Sequence, residues 1–339
     1  MTRGSGREAI LRIGLAGLGA MGRNHLRVLS ARDDVLVAAV ADPDGPARDA
    51  AAAQTGAIAC HDPLAMIEEV PLDAIVIAAP TTAHLPIVLA AIGRGLPALV
   101  EKPIAATPAE ADRICAAADA AGVPVQVGHV ERFNPAVLEL GRRLDAGALS
   151  TVYAIASRRA GPFPARIRDV GVTVDLATHD VDILSWVARQ RPHRVYAETA
   201  RRRHAEHEDL LFGLLDFPSG TKGMVDVNWL TPAKRRQLVV LGEEGMFELD
   251  FLTQRLTFTR MPKTPTPSLI GGYAPTFEGQ VETIPVASEE PLAAEIASFV
   301  AAIRGGRRPA VDADDGRWAV AIAAALLESA SAARPVEVA

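Results

Sequence analysis

Cysteine is almost absent from this chain: Cys60 and Cys115 are the only two among 339 residues, in different segments and without CxxC spacing. That excludes a disulfide framework and a cysteine zinc site, and both thiols are expected to stay reduced. No apolar run approaches the roughly 18 residues that a membrane span requires, so no membrane partner is expected. The N-terminal Met-Thr-Arg-Gly-Ser-Gly-Arg-Glu is short and polar, and a soluble, cytoplasmic protein is the expectation. Charge of one sign is also scarce. The formal net charge is -6, and Lys and Arg are scattered apart from Arg201, Arg202 and Arg203, which speaks against a nucleic-acid surface.

What the chain has is apolar mass and two rhythms. With 49% apolar residues over 339 positions, it is long enough for two packed domains, because single cores rarely grow past roughly 250 to 300 residues. In residues 1–130, Arg12–Ala16, Leu36–Ala41, Ala74–Ala78, Ala98–Val100 and Val123–Val127 read as strands. Met21–Ala31, Pro46–Thr55, Thr82–Arg94 and Pro108–Ala121 between them have helical composition. Such alternation predicts an α/β domain on a parallel sheet. From Ser150 the strands come in succession: Ser150–Arg158, His193–Arg201, Asp209–Phe217, Thr221–Trp229, Arg236–Leu241 and Met246–Leu252. Pro218-Ser219-Gly220 and Glu243-Glu244-Gly245 supply tight turns, so neighbouring strands are expected to pair antiparallel. Residues 131–339 are therefore expected to form an α+β domain, with helices at 291–304 and 313–332 and a long loop or flap over Met261–Gln280. Apolar strand residues such as Leu210, Phe212 and Val225 must be covered, and a homodimer or homotetramer is expected.

Gly17-Leu18-Gly19-Ala20-Met21-Gly22 follows the first strand and opens a helix. Gly17 permits the tight turn, Gly19 lets the backbone approach a pyrophosphate, and Gly22 lets helix and strand pack closely. Asp42 stands 20 residues after Gly22, at the end of the second strand, where a carboxylate can bond the adenosine ribose. Together these predict a Rossmann domain holding NAD, since Asp42 would repel the extra phosphate of NADP. Ala79, Pro80, Thr81 and His84 follow the strand ending at Ala78 and are expected to line the nicotinamide half, with His84 as a positioning contact. Glu101-Lys102-Pro103 leaves the next strand at the same sheet edge, so Glu101 and Lys102 are expected among the residues lining the cofactor. A lysine held there can stabilise a developing alkoxide during oxidation.

Gly161–Asp182 joins an arginine loop to an acid and a histidine. Apolar residues from Val174 to Val187 fall at helical spacing, placing Asp175 and His179 four apart on one face. A carboxylate beside an imidazole orients the ring and favours proton acceptance; the same spacing also fits a solvated acid and histidine pair. His204-Ala205-Glu206-His207-Glu208, after three arginines, reads as a solvated turn rather than a metal site, and no metal is expected.

The Gly-rich loop, Ala79-Pro80-Thr81-Thr82-Ala83-His84, Glu101-Lys102-Pro103 and Asp175-x-x-x-His179 resemble the glucose-fructose oxidoreductase and inositol dehydrogenase (Gfo/Idh/MocA) family over nearly the whole chain. The resemblance implies a Rossmann domain followed by an α/β domain with a large open, mainly antiparallel sheet. It also implies that Lys102 acts with Asp175 and His179. Gly128-His129-Val130-Glu131-Arg132-Phe133-Asn134-Pro135 and Gly161–Gly171 further resemble UDP-N-acetylglucosamine 3-dehydrogenases, which implies NAD-linked oxidation of a nucleotide sugar at C3. On that reading Arg166 and Arg168 clamp the diphosphate. Glu131, Arg132 and Asn134 follow the last strand of the first domain and can face either cofactor or substrate, with Arg132 and Asn134 assigned to the substrate side. A dehydrogenase of a free sugar or inositol, NAD-dependent glycoside cleavage and a non-catalytic NAD-binding regulator are the rival readings.

Overall fold

A computed structural model describes residues 9–164, 170–262, 268–269, 275–276 and 279–338. The chain divides into two compact units: one runs to His129 and adds Leu292–Val320, the other is Val130–Pro291 with Ala321 onward.

The first unit contains β1 (Leu11–Ala16), α1 (Ala20–Ser30), β2 (Val35–Ala41), α2 (Gly45–Thr55), β3 (Ile58–Cys60), α3 (Pro63–Glu69), β4 (Ala74–Ile77), α4 (His84–Gly93), β5 (Ala98–Glu101), α5 (Pro108–Ala121) and β6 (Val125–Gly128). Its strands lie in the order β3-β2-β1-β4-β5-β6, all parallel. β4 and β5 are buried along their whole length, as continuous apolar runs in parallel sheets should be. The helices start where local chemistry starts them. Asp44 caps α2 through the Ala47 amide, Thr107 caps α5 through the Glu110 amide, and each has Pro in its first turn. β3 and α3 were not expected; at 3 and 7 residues they are too short to show a period. Strand order reverses beside β1, so the carboxyl ends of β1 and β4 border the crevice where such sheets bind ligands.

The second unit begins with α6 (Pro135–Asp145), β7 (Val152–Ala160) and a π-helical turn, Thr173–Ala177, that runs into α7 (Thr178–Ala188). Then come β8 (Arg194–Ala200), β9 (Leu210–Asp216), β10 (Lys222–Asn228), β11 (Arg235–Gly242), β12 (Gly245–Asp250), β13 (Arg255–Arg260), the two-residue strands β14 (Ser268–Leu269) and β15 (Pro275–Thr276), and β16 (Val281–Ile284). Apart from these short stretches, most of the expected loop over Met261–Gln280 lies outside the described residues. α8 (Pro291–Gly305), α9 (Ala313–Ala332) and β17 (Val336–Glu337) end the chain.

The large sheet has the order β16-β13-β12-β11-β7-β10-β9-β8-β17. Both expected tight turns close antiparallel hairpins, β9–β10 and β11–β12. One pairing departs from the expectation: β7 and β10 run parallel. α7, β8 and β9 intervene between them in the chain, and that length permits a crossover return. Val225, Val227, Leu211 and Leu215 are buried, whereas Phe212, Leu214, Met224, Tyr153 and Leu241 on β7, β9, β10 and β11 face outward. Of the three apolar residues expected to need cover, Phe212 is exposed, Leu210 half-buried and Val225 buried.

The terminal helices also differ from expectation. α8 and the first part of α9 belong to the first unit. The amide of Val127 bonds the Val311 carbonyl at 3.0 Å, and Gly316 packs against Ile104 and Val127. Helical periodicity shows that a face is apolar, not which sheet it covers. The later part of α9 serves the second unit, where Ser329 Oγ accepts from the Ala197 amide at 3.1 Å.

Gly141 in α6 tests the packing of the second unit. A Cβ there would lie 2.4 Å from a ring atom of Trp186, while Ala gains up to about 1 kcal/mol in helix propensity. Overpacking costs about 1–3 kcal/mol and should win, so Gly141→Ala is expected to lower the urea midpoint at unchanged m-value.

Candidate active site

In the first unit the expected cofactor residues line the carboxyl edge of the sheet. Gly17 has φ of 92°, and a Cβ there would lie 2.5 Å from the Ala78 carbonyl oxygen, so only glycine suits the turn. A Cβ on Gly22 would lie 2.0 Å from the Gly17 oxygen, whereas one on Gly19 would meet nothing within 4 Å. That open side suits the approach of a pyrophosphate. Leu18 itself is buried, while Ala20 and Met21 at the start of α1 are exposed. No side chain caps α1 at Gly19, and helix-start amides bind anions. Asp42 is drawn onto the loop: its carboxylate accepts from the Leu18 amide at 2.6 Å and from the Asp44 amide at 2.8 Å. Each oxygen keeps a lone pair for a ribose hydroxyl. Arg48 is the nearby cation, and it donates to the Asp42 backbone carbonyl at 3.2 Å and to Asp49 at 3.3 Å.

His84 is 1% exposed, and its ring lies between the carbonyls of Ala79 at 2.9 Å and Pro103 at 3.0 Å. Burial pushes its pKa down, against the pull of those carbonyls. Packed between the two loop carbonyls, with little surface left for a ligand, the ring takes the place of a positioning contact and not of a residue touching cofactor. Glu101 is corrected likewise, because its carboxylate turns inward to His25 at 2.7 Å. Lys102 stands half-buried where β5 ends, before a cis bond to Pro103. Ala79 and Thr81 are half-buried and Pro80 exposed on the neighbouring exit. Neither cysteine offers a nucleophile: burial pushes the Cys115 thiol up to about 12 and raises that of Cys60.

In the second unit Asp175 and His179 are both half-buried. Asp175 lies within the π turn and His179 at the start of α7, so the expected uniform α-helical face is replaced by a wider turn. Single π turns inside helices are frequent at functional sites. This one is pinned at its entrance. The Glu208 carboxylate accepts from the Thr173 amide at 3.0 Å, and its carbonyl accepts from Val172 at 2.9 Å. A Cβ on Gly171 would fall 2.1 Å from that carboxylate, so glycine lets the acid reach the backbone.

Two buried ion pairs flank His179. Asp180 accepts from Arg159 at 2.8 Å, and Arg159 also donates to Glu131 at 2.8 Å, with Arg236 at 3.3 Å from the same acid. Asp182 takes both arms of Arg132 at 2.6 Å. Asn134 caps α6 by accepting from the Ala136 amide, and donates to the Phe251 carbonyl at 3.1 Å. Arg132 and Asn134 are 6% and 2% exposed, so the structure gives them internal tasks in place of the substrate contacts expected of them. Arg166 and Arg168 lie outside the described residues.

In the 204–208 segment Ala205 and Glu206 are exposed, as expected of a solvated turn, but His204 departs from that reading. His204 is buried, its Nδ1 accepts from the amides of Glu206 and His207, and its ring lies near Phe163 and Trp229. Asp209 organises the same loop: burial opposes its charge, but the amides of Arg203, His204 and Arg202 outweigh it and hold the carboxyl below the usual range. Glu208, Arg159, Asp180 and Asp182 are the positioning residues that sequence reading missed. A signal existed, for Asp180 and Asp182 interrupt an apolar helix and must be paired if buried.

Comparison with known proteins agrees with this arrangement. Residues 11–129 match a family described as "Oxidoreductase family, NAD-binding Rossmann fold", and residues 137–248 match the GFO/IDH/MocA C-terminal domain. Inositol 2-dehydrogenase 2 of Saccharopolyspora erythraea is 33% identical, over 97% of this chain and 96% of its own length. A UDP-N-acetylglucosamine 3-dehydrogenase from Acidithiobacillus ferrooxidans is 27% identical, over 92% and 95%. A solved structure of the 3-dehydrogenase from that organism superposes with a TM-score of 0.84 at 25% identity, over 95% of this chain and 98% of the other. With both of its halves matched, the chain belongs to the GFO/IDH/MocA family of NAD-dependent oxidoreductases.

Proposed function

We propose that this oxidoreductase oxidises the C3 hydroxyl of a UDP-sugar, UDP-N-acetylglucosamine first among them, to the 3-keto form that amino-sugar synthesis requires. The observation that carries the reading is the pinned π turn, which sets Asp175 and His179 at the head of a helix anchored by buried acids on both sides. In the reaction His179 accepts the hydroxyl proton, Asp175 orients the ring, and Lys102 binds the oxygen as negative charge develops there. NAD, which the Gly17–Gly22 loop and Asp42 would hold, would supply the acceptor for the C3 hydrogen as hydride. The residues of the chain position the carbon and move the proton. Support for the nucleotide comes from Arg166 and Arg168, whose guanidinium groups suit a diphosphate, and from the full-length likeness to a UDP-N-acetylglucosamine 3-dehydrogenase. The 33% identity with an inositol 2-dehydrogenase favours a second reading, oxidation of a cyclic polyol.

A second copy of this chain is proposed to cover the outward apolar stripe of Phe212, Leu214 and Met224. A homodimer or homotetramer results, and charge on the stripe should break it. Phe212→Glu with Leu214→Glu is expected to sediment as a monomer; an unchanged mass would place the contact elsewhere.

Purified protein with NAD should form NADH with UDP-N-acetylglucosamine and yield a 3-keto product by mass spectrometry and NMR. NADH from myo-inositol alone would move the assignment to the second reading, and no NADH from any UDP-sugar or polyol would sink both. His179→Ala and Lys102→Met are each expected to lower kcat by about 10²–10⁴, the usual worth of a positioned acid or base. Calorimetry should find NAD affinity nearly unchanged in both variants. Full turnover by His179→Ala would remove the histidine from the chemistry.

A further inference from the structure

Three titratable side chains outside the proposed chemistry meet in the interior of the first unit. His25 comes from α1, Glu101 from the end of β5 and Glu295 from α8, and one polar atom of each lies within 4.8 Å of the other two. His25 and Glu101 are joined at 2.7 Å, and the second oxygen of Glu101 accepts from the Lys102 amide at 3.3 Å. Glu295 has no exposed surface, and neither of its carboxylate oxygens has a hydrogen-bond partner. Gln126 on β6 holds the backbone carbonyl of Glu295 at 3.2 Å, while its own Oε1 and the Nδ1 of His25 also lack partners. The titratable groups facing Glu295 are thus Glu101 and His25, with Gln126 as the neutral polar neighbour.

We infer that Glu295 is held as a neutral, proton-bearing acid, leaving Glu101 the negative charge that bonds His25 and the backbone of Lys102, and so acts as a positioning residue behind that lysine. An ionised carboxylate with no donor at either oxygen is the costliest arrangement a dry interior can hold, whereas the protonated acid avoids the charge. Burial pushes the Glu295 carboxyl well above the usual carboxylate range, and the Glu101 charge pushes the same way. A metal ion fits less well. Ligands bound at about 2.0–2.2 Å stand more than 3 Å apart around one ion, and the 2.7 Å contact between His25 and Glu101 is a hydrogen bond instead.

The sign of the pH effect follows from the raised pKa. Between the unfolded carboxyl value, about 4.3, and the higher folded value, only the folded protein keeps this proton. Stability contributed by the site is therefore greatest below the unfolded value and falls as pH rises through that window. Glu295→Gln keeps the shape and has no such proton to lose.

Thermal unfolding of the full chain, wild type beside Glu295→Gln, should be followed from pH 6 to pH 9. The variant is expected to melt higher than wild type at pH 8 and above, with a flatter pH dependence. Each pH unit of the window is worth about 3–5 °C in Tm for a unit of this size. A variant that melts lower at pH 8, or fails to fold, overturns the neutral acid. So does a metal that co-purifies at one per chain and whose chelation lowers Tm. The link to Lys102 rests on the proposed dehydrogenase reading and is read separately, from kcat/KM against pH. The wild type is expected to lose kcat/KM at alkaline pH, and Glu295→Gln to shift or remove that fall; an unchanged profile overturns the positioning role while leaving the Tm result standing. Absence of NADH with every substrate would instead overturn the dehydrogenase reading, and the positioning role with it.

Discussion

The second unit depends on keeping one charge dry. Arg159 is 1% exposed, on a strand whose alternate residues point into the core, and a guanidinium cannot shed its charge by releasing a proton. It must be met by acids, and it is, by Glu131 ahead of α6 and Asp180 in α7. Removing one partner of such a set typically costs about 3–5 kcal/mol, yet an apolar replacement of the whole set is often no less stable. The network therefore acts chiefly on orientation. It sets the rotation of α7 on β7, and the residue immediately before Asp180 is His179. Arg132 and Asp182 make the same kind of clamp on the helix two residues further on.

Orientation at the other end comes from the backbone. Glu208 reaches the amide of Thr173 only because Gly171 has no side chain, and from that anchor the chain enters a π turn before settling into α7. The helix that carries the proposed acid and base is thus constrained at its entrance by a carboxylate and along its body by ion pairs. Each constraint fixes a neighbour of the reacting side chains, which leaves those side chains half-buried and accessible.

The cofactor half was largely legible in the sequence because its signals are local. A glycine-rich turn, an acid 20 residues on, and Asp or Thr caps followed by Pro each act within a few residues of where they are written. β3 and α3 escaped because they span too few residues to show a period. In the large sheet the hairpins were legible from their turns, whereas the parallel β7–β10 pairing was not, since register across a long connection is decided by packing. Residue type proved a weaker guide than expected for Glu101, Arg132 and Asn134. Each can bind a ligand, but each is buried and spends its polar atoms on other parts of the protein. Burial is a property of the assembled core, and sequence motifs do not state it. The converse miss is Glu295, a single acid in an apolar helix whose importance is visible only once Glu101 and His25 stand beside it.

The allotment of α8 and the start of α9 to the first unit has a temporal side. β6 receives backbone bonds and side-chain cover from Val311, Asp312 and Gly316, residues made roughly 180 positions after the strand itself. On the ribosome the nucleotide-binding sheet therefore emerges early with one edge bare, and it waits through the synthesis of the whole intervening unit before its last pieces arrive. A chain interrupted anywhere before that point carries a glycine-rich loop but an unfinished domain, so the sheet is completed only when nearly the whole chain has been made.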